Sequence, residues 1–401
     1  MMNRRQLLAT CAAPLKMRAQ NDPWAGASLY RDLETYAAIN EHRTATPGDR
    51  RTSEWLHKEL AAAGFEATYQ EFRTRQFFPG DSYLTISGEK IKGFPLWPAR
   101  KGRAQGKLGE EIVIVRLRST SALTPRASDL EAIQQAANGA KGVIAITDGP
   151  TGELIALNDE SGVRDWPVPV LLMAGMHANR LDRLASVQPT AELIINGRLD
   201  PEARAENVRG LLKRGGKTVI VSTPKSGWFR CAGERGPGIA LWLATARAVA
   251  ARQSNFSYLF TANSGHELDG QGMREFLKTA PKPADVVCWL HYGAGLATYQ
   301  WRNERKLSAP DPNRLLMCSK DVLDPVAAAF EPLHLKPQLK PLAGELELVA
   351  KLGYRCFGMA AAHRFHHTEA DGPETTGPEL LEPVARAFWQ TLQAIEAQFA
   401  G

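Results

Sequence analysis

The fold turns on one stretch, residues 218–250: TVIVSTPKSGWFRCAGERGPGIALWLATARAVA. Thr218 to Ser222 is a short β-branched run, the composition of a buried strand. Ile239 to Ala250 is rich in Ala and Leu with a wide apolar face, which predicts a helix packed on a sheet. Between them lie Lys225, Ser226, Arg230, Cys231, Glu234 and Arg235 among glycines. In an open α/β sheet, the space beyond the carboxyl end of a strand and at a helix start is where ligands bind. The same residues would equally suit a solvated loop with an ion pair.

Outward from this stretch, strand-like and helix-like segments alternate. Ser257 to Thr261, Val286 to Leu290 and Cys356 to Ala360 read as strands. Leu29 to Ile39, Thr52 to Ala63, Leu346 to Leu352 and Pro378 to Phe399 read as helices. Such alternation predicts a three-layer α/β/α domain with a mostly parallel central sheet. Between Ser82 and Pro201 the texture changes to short apolar runs such as Ile112 to Val115 and Gly142 to Ile146, separated by Gly and Pro turns. That is an α+β or open-barrel module of about 120 residues, an ordinary domain size.

The chain has 401 residues, 44% hydrophobic and 23% charged, which is globular composition and length enough for two or three domains. Its formal charge of +6 is spread along the sequence. No basic stripe and no interleaved aromatic platform points to nucleic acid. Residues 1–21, with Arg4-Arg5 before a short apolar run, read as a twin-arginine export signal, giving a periplasmic or extracellular protein. Cys11 offers a lipid-anchor position, although Thr10 is bulky for such a cleavage box. No later segment has the roughly 18 apolar residues a membrane span needs. Cys231, Cys288, Cys318 and Cys356 are widely spaced with no CxxC pair, so free buried thiols are expected.

Four segments place unusual polar residues after apolar strands: Pro224 to Arg235, Gly265-His266-Glu267, His291-Tyr292-Gly293 and His363 to Asp371. Five of the nine histidines fall there: His266, His291, His363, His366 and His367. In a parallel sheet these strand ends share one edge, so the segments converge into a cleft fit for a metal or for acid–base work.

With these residues in view, the chain resembles the family-28 metallopeptidases, the zinc aminopeptidases and glutaminyl cyclases. The opening helices with Thr46-Pro47-Gly48 and the lead-in Glu206-Asn207-Val208-Arg209-Gly210 carry the resemblance. It implies a zinc-exopeptidase-like domain over 22–81 and 202–401, interrupted at 82–201 by a protease-associated domain. It also implies a metal site, which this sequence keeps only in part. Pro224-Lys225-Ser226 stands where the family has a ligand histidine. Glu234 takes the place of a bridging aspartate, and His266-Glu267 that of a Glu-Glu pair. His291 matches a further aspartate, and His367-Thr368 a final His-Thr. Glu234, Glu267 and His367 then remain as a set for a single zinc. His266 becomes the proton shuttle, and His291 a ligand or a donor to the substrate. Lys225, Ser226, Arg230, Arg235 and His366 are left to bind a peptide or small-molecule substrate.

The function expected is a divergent zinc hydrolase of peptide or amide bonds. Two alternatives stay open. One is a metal-free binding protein on a retired peptidase fold. The other is a metal-independent hydrolase, such as a glycosidase, using Glu234 and Glu267 as a carboxylate pair.

Overall fold

The structure is a computed structural model that describes residues 22–117, 127–159 and 165–400. The export signal expected at 1–21, with Cys11, lies outside the described residues. The chain opens with helices α1 (Gly26–Ala38) and α2 (Pro47–Ala62) and strand β1 (Glu66–Pro79). Helix α2 starts where Thr46 accepts the Asp49 N–H through its hydroxyl and Pro47 takes a first-turn position with no N–H to satisfy.

Residues 83–195 form two small sheets. One has β2 (Tyr83–Ile86), β3 (Glu89–Lys92), β5 (Gly102–Lys107) and β9 (Thr190–Ile195), in the order β3-β2-β9-β5. The other has β4 (Phe94–Pro95), β6 (Ile112–Arg116), β7 (Gly142–Thr147) and β8 (Val170–Ala174), in the order β4-β8-β7-β6. Helices α3 (Ala127–Gly139) and α4 (Ala178–Val187) accompany them. These sheets share an apolar core around Leu84, Ile112, Ile144, Leu171 and Leu193, distinct from the core of the rest of the chain.

The chain re-enters the main domain through β10 (Gly197–Leu212), followed by β11 (Thr218–Pro224), α5 (Ala232–Ala250), β12 (Ser257–Asn263), α6 (Gln271–Leu277) and β13 (Val286–Tyr292). A hairpin of β14 (Tyr299–Arg302) and β15 (Arg305–Pro310) leads to β16 (Leu315–Cys318), α7 (Leu323–Phe330), α8 (Glu345–Lys351), β17 (Cys356–Ala360) and α9 (Pro378–Gln398). The main sheet runs β1-β10-β12-β11-β13-β17-β16. Its four central strands, β12, β11, β13 and β17, are parallel. Antiparallel strands flank them on both sides.

Strand β11 shows why the sheet is covered on both faces. Val219 and Val221 enter the core beneath α1, α5 and α9, with Trp242 and Phe388, while Ile220 enters the opposite core with Phe276, Trp289 and Leu346. Alternate residues of a strand point to opposite faces, so an apolar run here demands helices on each. The result is the expected three-layer α/β/α arrangement.

Strand β10 extends well before the Glu206–Gly210 lead-in. It starts at Gly197 and pairs with β1 almost throughout, from Pro79↔Gly197 to Glu66↔Leu211, with a register shift between Thr74 and Gln76. The charged run Asp200 to Arg204 looks like a loop in sequence because both faces of this ribbon are largely solvated. The boundary expected at 201 therefore falls inside β10. The four cysteines Cys231, Cys288, Cys318 and Cys356 are buried and free.

Candidate metal centre

The carboxyl ends of β11, β12, β13 and β17 face one edge, and the four polar segments gather there. Helix α5 brings Glu234 and Arg235 into the interior at 0% and 1% exposure. Its first turn is buried, so its free N–H groups need acceptors. Asp371 supplies them, taking the Gly233 N–H at 2.7 Å and the Glu234 N–H at 3.0 Å. Position 233 must be glycine, because a Cβ there would lie 2.1 Å from Thr375 Oγ1. Asp371 also approaches His363 Nε2 at 3.4 Å, and burial, which lowers the His363 pKa, is outweighed by this carboxylate, so the net shift is upward.

Glu234 Oε1 is the meeting point of three groups: Arg235 Nη2 at 2.6 Å, His366 Nε2 at 3.3 Å and His367 Nε2 at 3.4 Å. None is aligned as a hydrogen bond to the carboxylate, and both its oxygens are buried without a hydrogen-bond partner. Burial pushes the Glu234 carboxyl up, but Arg235, His366 and His367 outweigh it and hold it well below the usual range. His366 is driven the other way, to about 4, by burial first and then by its histidine neighbours, against the pull of Glu234. It is thus a neutral ring with a lone pair to offer.

His367 has a backbone φ of +59°, an uncommon conformation for a residue with a Cβ. Its Nδ1 lies 2.9 Å from the carbonyl oxygen of Ala156, in the 83–195 region. A carbonyl only accepts, so Nδ1 carries a proton and Nε2 is the nitrogen left to ligate a metal. That nitrogen and the Glu234 oxygen 3.4 Å away are both able to ligate a cation, and Arg235 Nη2 already stands beside the same oxygen.

Glu234, His366 and His367 fit a metal ion by their spacing. Among the described residues they are the one group of three or more His, Cys, Asp or Glu whose ligand atoms all lie within 4.8 Å of one another. Two donor atoms each ~2.0–2.1 Å from a tetrahedral zinc sit about 3.3–3.4 Å apart, the separations found here. Charge points the same way. Asp49, Glu234, Glu267, Glu345 and Asp371 are buried around the site against the fixed cations Arg43, Lys225 and Arg235. The site is short of positive charge by two before histidines are counted, a strong inducement to bind a cation or protonate.

Glu267, expected as a ligand, is not in that group; His366 is. Glu267 Oε1 accepts the Thr44 N–H at 2.6 Å and Oε2 accepts the Ser226 hydroxyl at 2.8 Å. Ser226 is therefore tied to Glu267, and its oxygen also takes the His266 N–H at 3.2 Å. Lys225 is fully buried, paired with Asp49 and donating to Ser264 Oγ at 2.6 Å, which commits its ammonium inside the protein. Arg235 donates through Nε to the Ser226 carbonyl at 2.9 Å while its guanidinium meets Glu234. Arg230 is set apart from the histidines. It lines a 340 Å³ cavity with Arg43, Phe94, Trp228, Phe229 and Glu369.

His291 lies within β13 rather than after it, opposite Ser222 in register. Its Nδ1 is 2.9 Å from Ser222 Oγ, which also receives the Trp289 indole N–H at 2.7 Å. The arrangement that uses every group has Ser222 donating to Nδ1, leaving a proton on Nε2 of His291. Burial pushes its pKa down to about 4. His266 Nδ1 meets Glu345 Oε1 at 3.2 Å.

Residues 156–159 close the site from the side of the 83–195 sheets. The Ala156 N–H donates to the His367 carbonyl at 3.0 Å, the Asp159 N–H to the Glu267 carbonyl at 2.9 Å, and the Trp228 indole to Asn158 Oδ1 at 2.8 Å. Nothing in their sequence marks Ala156, Glu345 or Thr44 as site residues. Their apolar or generic neighbourhoods hide contacts made across 79 to 223 positions.

No protein-family model matches the chain, and no curated protein matches it in sequence. Its fold is shared with solved peptidases. The aminopeptidase from Aneurinibacillus sp. strain AM-1 is 15% identical, with 92% of this chain and 93% of that one covered at a TM-score of 0.64. BSAP, a zinc aminopeptidase from Bacillus subtilis, is 14% identical, covering 93% and 96% with a TM-score of 0.70. The peptidase M28 precursor from Shewanella amazonensis SB2B is also 14% identical, covering 92% of each chain with a TM-score of 0.70. At this identity the likeness is one of fold. The mixed α/β architecture with a mostly parallel sheet is that of the zinc exopeptidases.

Proposed function

We propose that the protein is a divergent zinc-dependent hydrolase of peptide or amide bonds, holding one metal ion on Glu234, His366 and His367. The observation that carries this reading is the approach of two imidazole Nε2 atoms to one buried carboxylate oxygen. Two neutral histidines and one carboxylate, with a fourth position open, are a donor set suited to catalytic zinc. When bound, zinc would polarise a carbonyl and lower the pKa of a water molecule to ~7. The chain's own residues do the rest. Ala156 fixes the His367 tautomer, Asp371 anchors the turn that carries Glu234, and residues 156–159 exclude water from the interior side. His266 is the proton acceptor nearest to solvent, with its side chain 20% exposed. Residues 82–201 would form a protease-associated insert beside this site, in a protein exported by its first 21 residues.

Arg235 favours a second reading. Its guanidinium already contacts Glu234 at 2.6 Å, so a metal-free binding protein has a cation in place. The carboxylate-pair alternative is weaker, since both Glu267 oxygens are occupied by Thr44 and Ser226. Metal analysis of protein purified with zinc, followed by hydrolysis of aminoacyl and acyl-amide substrates with and without chelator, decides between them. One zinc per chain and chelator-sensitive hydrolysis is the expected result. Absence of bound metal after zinc loading would overturn the proposal in favour of the metal-free reading.

A further inference from the structure

Glu345 belongs to no motif, yet it is buried at 2% exposure on α8 and directs Oε1 to His266 Nδ1. Its other oxygen, Oε2, is buried without a hydrogen-bond partner. Both residues line a 230 Å³ cavity with Asp269, Arg274, Glu347 and Lys351. The remaining charges of that cavity are spent on one another: Arg274 meets Asp269 at 3.0 Å and Lys351 meets Glu347 at 2.8 Å. His266 and Glu345 are therefore the groups left to act there.

We infer that Glu345 is the positioning residue that makes His266 a general base, by holding its Nδ1 proton and leaving Nε2 free toward the 230 Å³ cavity. The inference rests on the hydrolase reading above. An ionised carboxylate only accepts, so the 3.2 Å contact puts the imidazole proton on Nδ1. Among the described residues, Nε2 has no hydrogen-bond partner in the protein. When Nε2 takes a proton from water or substrate, the carboxylate stands against the imidazolium that forms, and the proton is returned from the same nitrogen to the leaving amine. Burial works against the Glu345 charge, but His266, His291 and Arg235 together outweigh it. The backbone ties this base to the metal-capable group: the His266 N–H bonds Ser226 Oγ, and the Arg235 Nε–H bonds the Ser226 carbonyl.

The charged and titratable groups around His266 are Glu345, Glu347 and Lys351 from α8, Asp269 and Arg274 beside α6, His291 from β13 and Arg235 from α5. Glu345 is the one bonded to it. The test compares wild type, Glu345→Gln and Glu345→Asp. In zinc-loaded protein, Glu345→Gln should lower kcat roughly ten- to a hundredfold with KM and metal content unchanged. It should also move the acid limb of the kcat/KM profile to lower pH, because the imidazolium loses its carboxylate. Glu345→Asp should recover part of kcat. In metal-free protein, imidazole nitrogen NMR should show His266 protonated on Nδ1 in wild type and a tautomer mixture in Glu345→Gln. Wild-type hydrolysis with an unchanged kcat and acid limb in folded Glu345→Gln would overturn this inference alone. A wild-type Nε2–H tautomer would overturn it whatever the activity. No hydrolysis by zinc-loaded wild type would overturn the hydrolase reading, and general-base action by His266 with it.

Discussion

His367 and Ala156 exchange two bonds: the ring Nδ1 reaches the Ala156 carbonyl at 2.9 Å, and the Ala156 N–H reaches the His367 carbonyl at 3.0 Å. One sets the tautomer and the other steadies a backbone at φ +59°. Replacing Ala156 by Pro removes the second bond and leaves the carbonyl. Zinc affinity should fall roughly ten- to a hundredfold, as for other partners that orient a ligand. Competition with a chromophoric chelator measures it, and an unchanged affinity would mean that the contact does not steady the ligand.

The choice of ligands gives a sharper discrimination. His366→Ala and His367→Ala should each cost at least about a hundredfold in zinc affinity, whereas Glu267→Gln should stay within about tenfold of wild type. Calorimetric zinc titrations of the three variants check this ordering. Zinc loss in Glu267→Gln equal to that in the histidine variants would return Glu267 to the ligand set.

Acid stability of the metal-free protein depends on buried histidines, among them two outside the Glu234 group. His42, stacked on Tyr36 with ring centroids 3.7 Å apart, has its pKa pushed by burial, and then by Lys225, to about 3; His291 falls to about 4. Folded-state values below the ordinary histidine value of 6.5 mean that the unfolded chain binds more protons. Stability from each is complete above pH ~6.5 and is lost as the pH falls toward 4, by on the order of 3 kcal/mol per histidine as an upper figure. Urea midpoints taken from pH 7 to pH 4 should fall steadily, and less steeply in His42→Gln. Parallel curves would remove His42 from the account.

Lys225 and Asp49 form a buried pair, joined by Ser264, whose hydroxyl donates to Asp49 Oδ1 at 2.7 Å. Lys225→Met leaves the Asp49 charge in the interior and should destabilise by about 3–5 kcal/mol. Lys225→Met with Asp49→Asn should cost less than Lys225→Met alone. If the double variant is the less stable of the two in denaturant titration, the pair is not a charge-compensated unit.

Gly233→Ala would press a methyl group against Thr375 Oγ1 and Asp371 Oδ1, at 2.1 and 2.8 Å before relaxation. A loss of roughly 1–3 kcal/mol is expected from overpacking, with weaker metal binding because Glu234 is the next residue. Thermal melting with and without zinc checks both effects, and a wild-type melting temperature would show that the Asp371 turn is loosely held.

The layered domain was readable because its signals are local. The β-branched run of β11 and the apolar face of α9 state their partners through periodicity, and parallel strands place their following loops on one edge. Glu234 was legible for the same reason, lying at a helix start after a strand. The grouping of His366, rather than Glu267, with Glu234 and His367 was not. It depends on the left-handed backbone at His367 and on a Thr44 N–H that arrives from 223 positions away. Glu345 was hidden because α8 has seven residues and carries no motif. The charged half of β10 lacks the alternation that marks a half-buried strand.

Strand β10 has a mechanical consequence. Along its inner half it pairs with β1 on one edge and, from Val208 to Leu212, with β12 on the other; its outer half leaves the sheet with β1 as a ribbon toward the insert. Both passages of the chain between the two regions run through that ribbon. The inner end of the ribbon is fixed by the ladder to β12, the strand that ends just before His266 and Glu267. Residues 83–195 thus reach the main domain twice, through this ribbon and through the Ala156 bonds to His367.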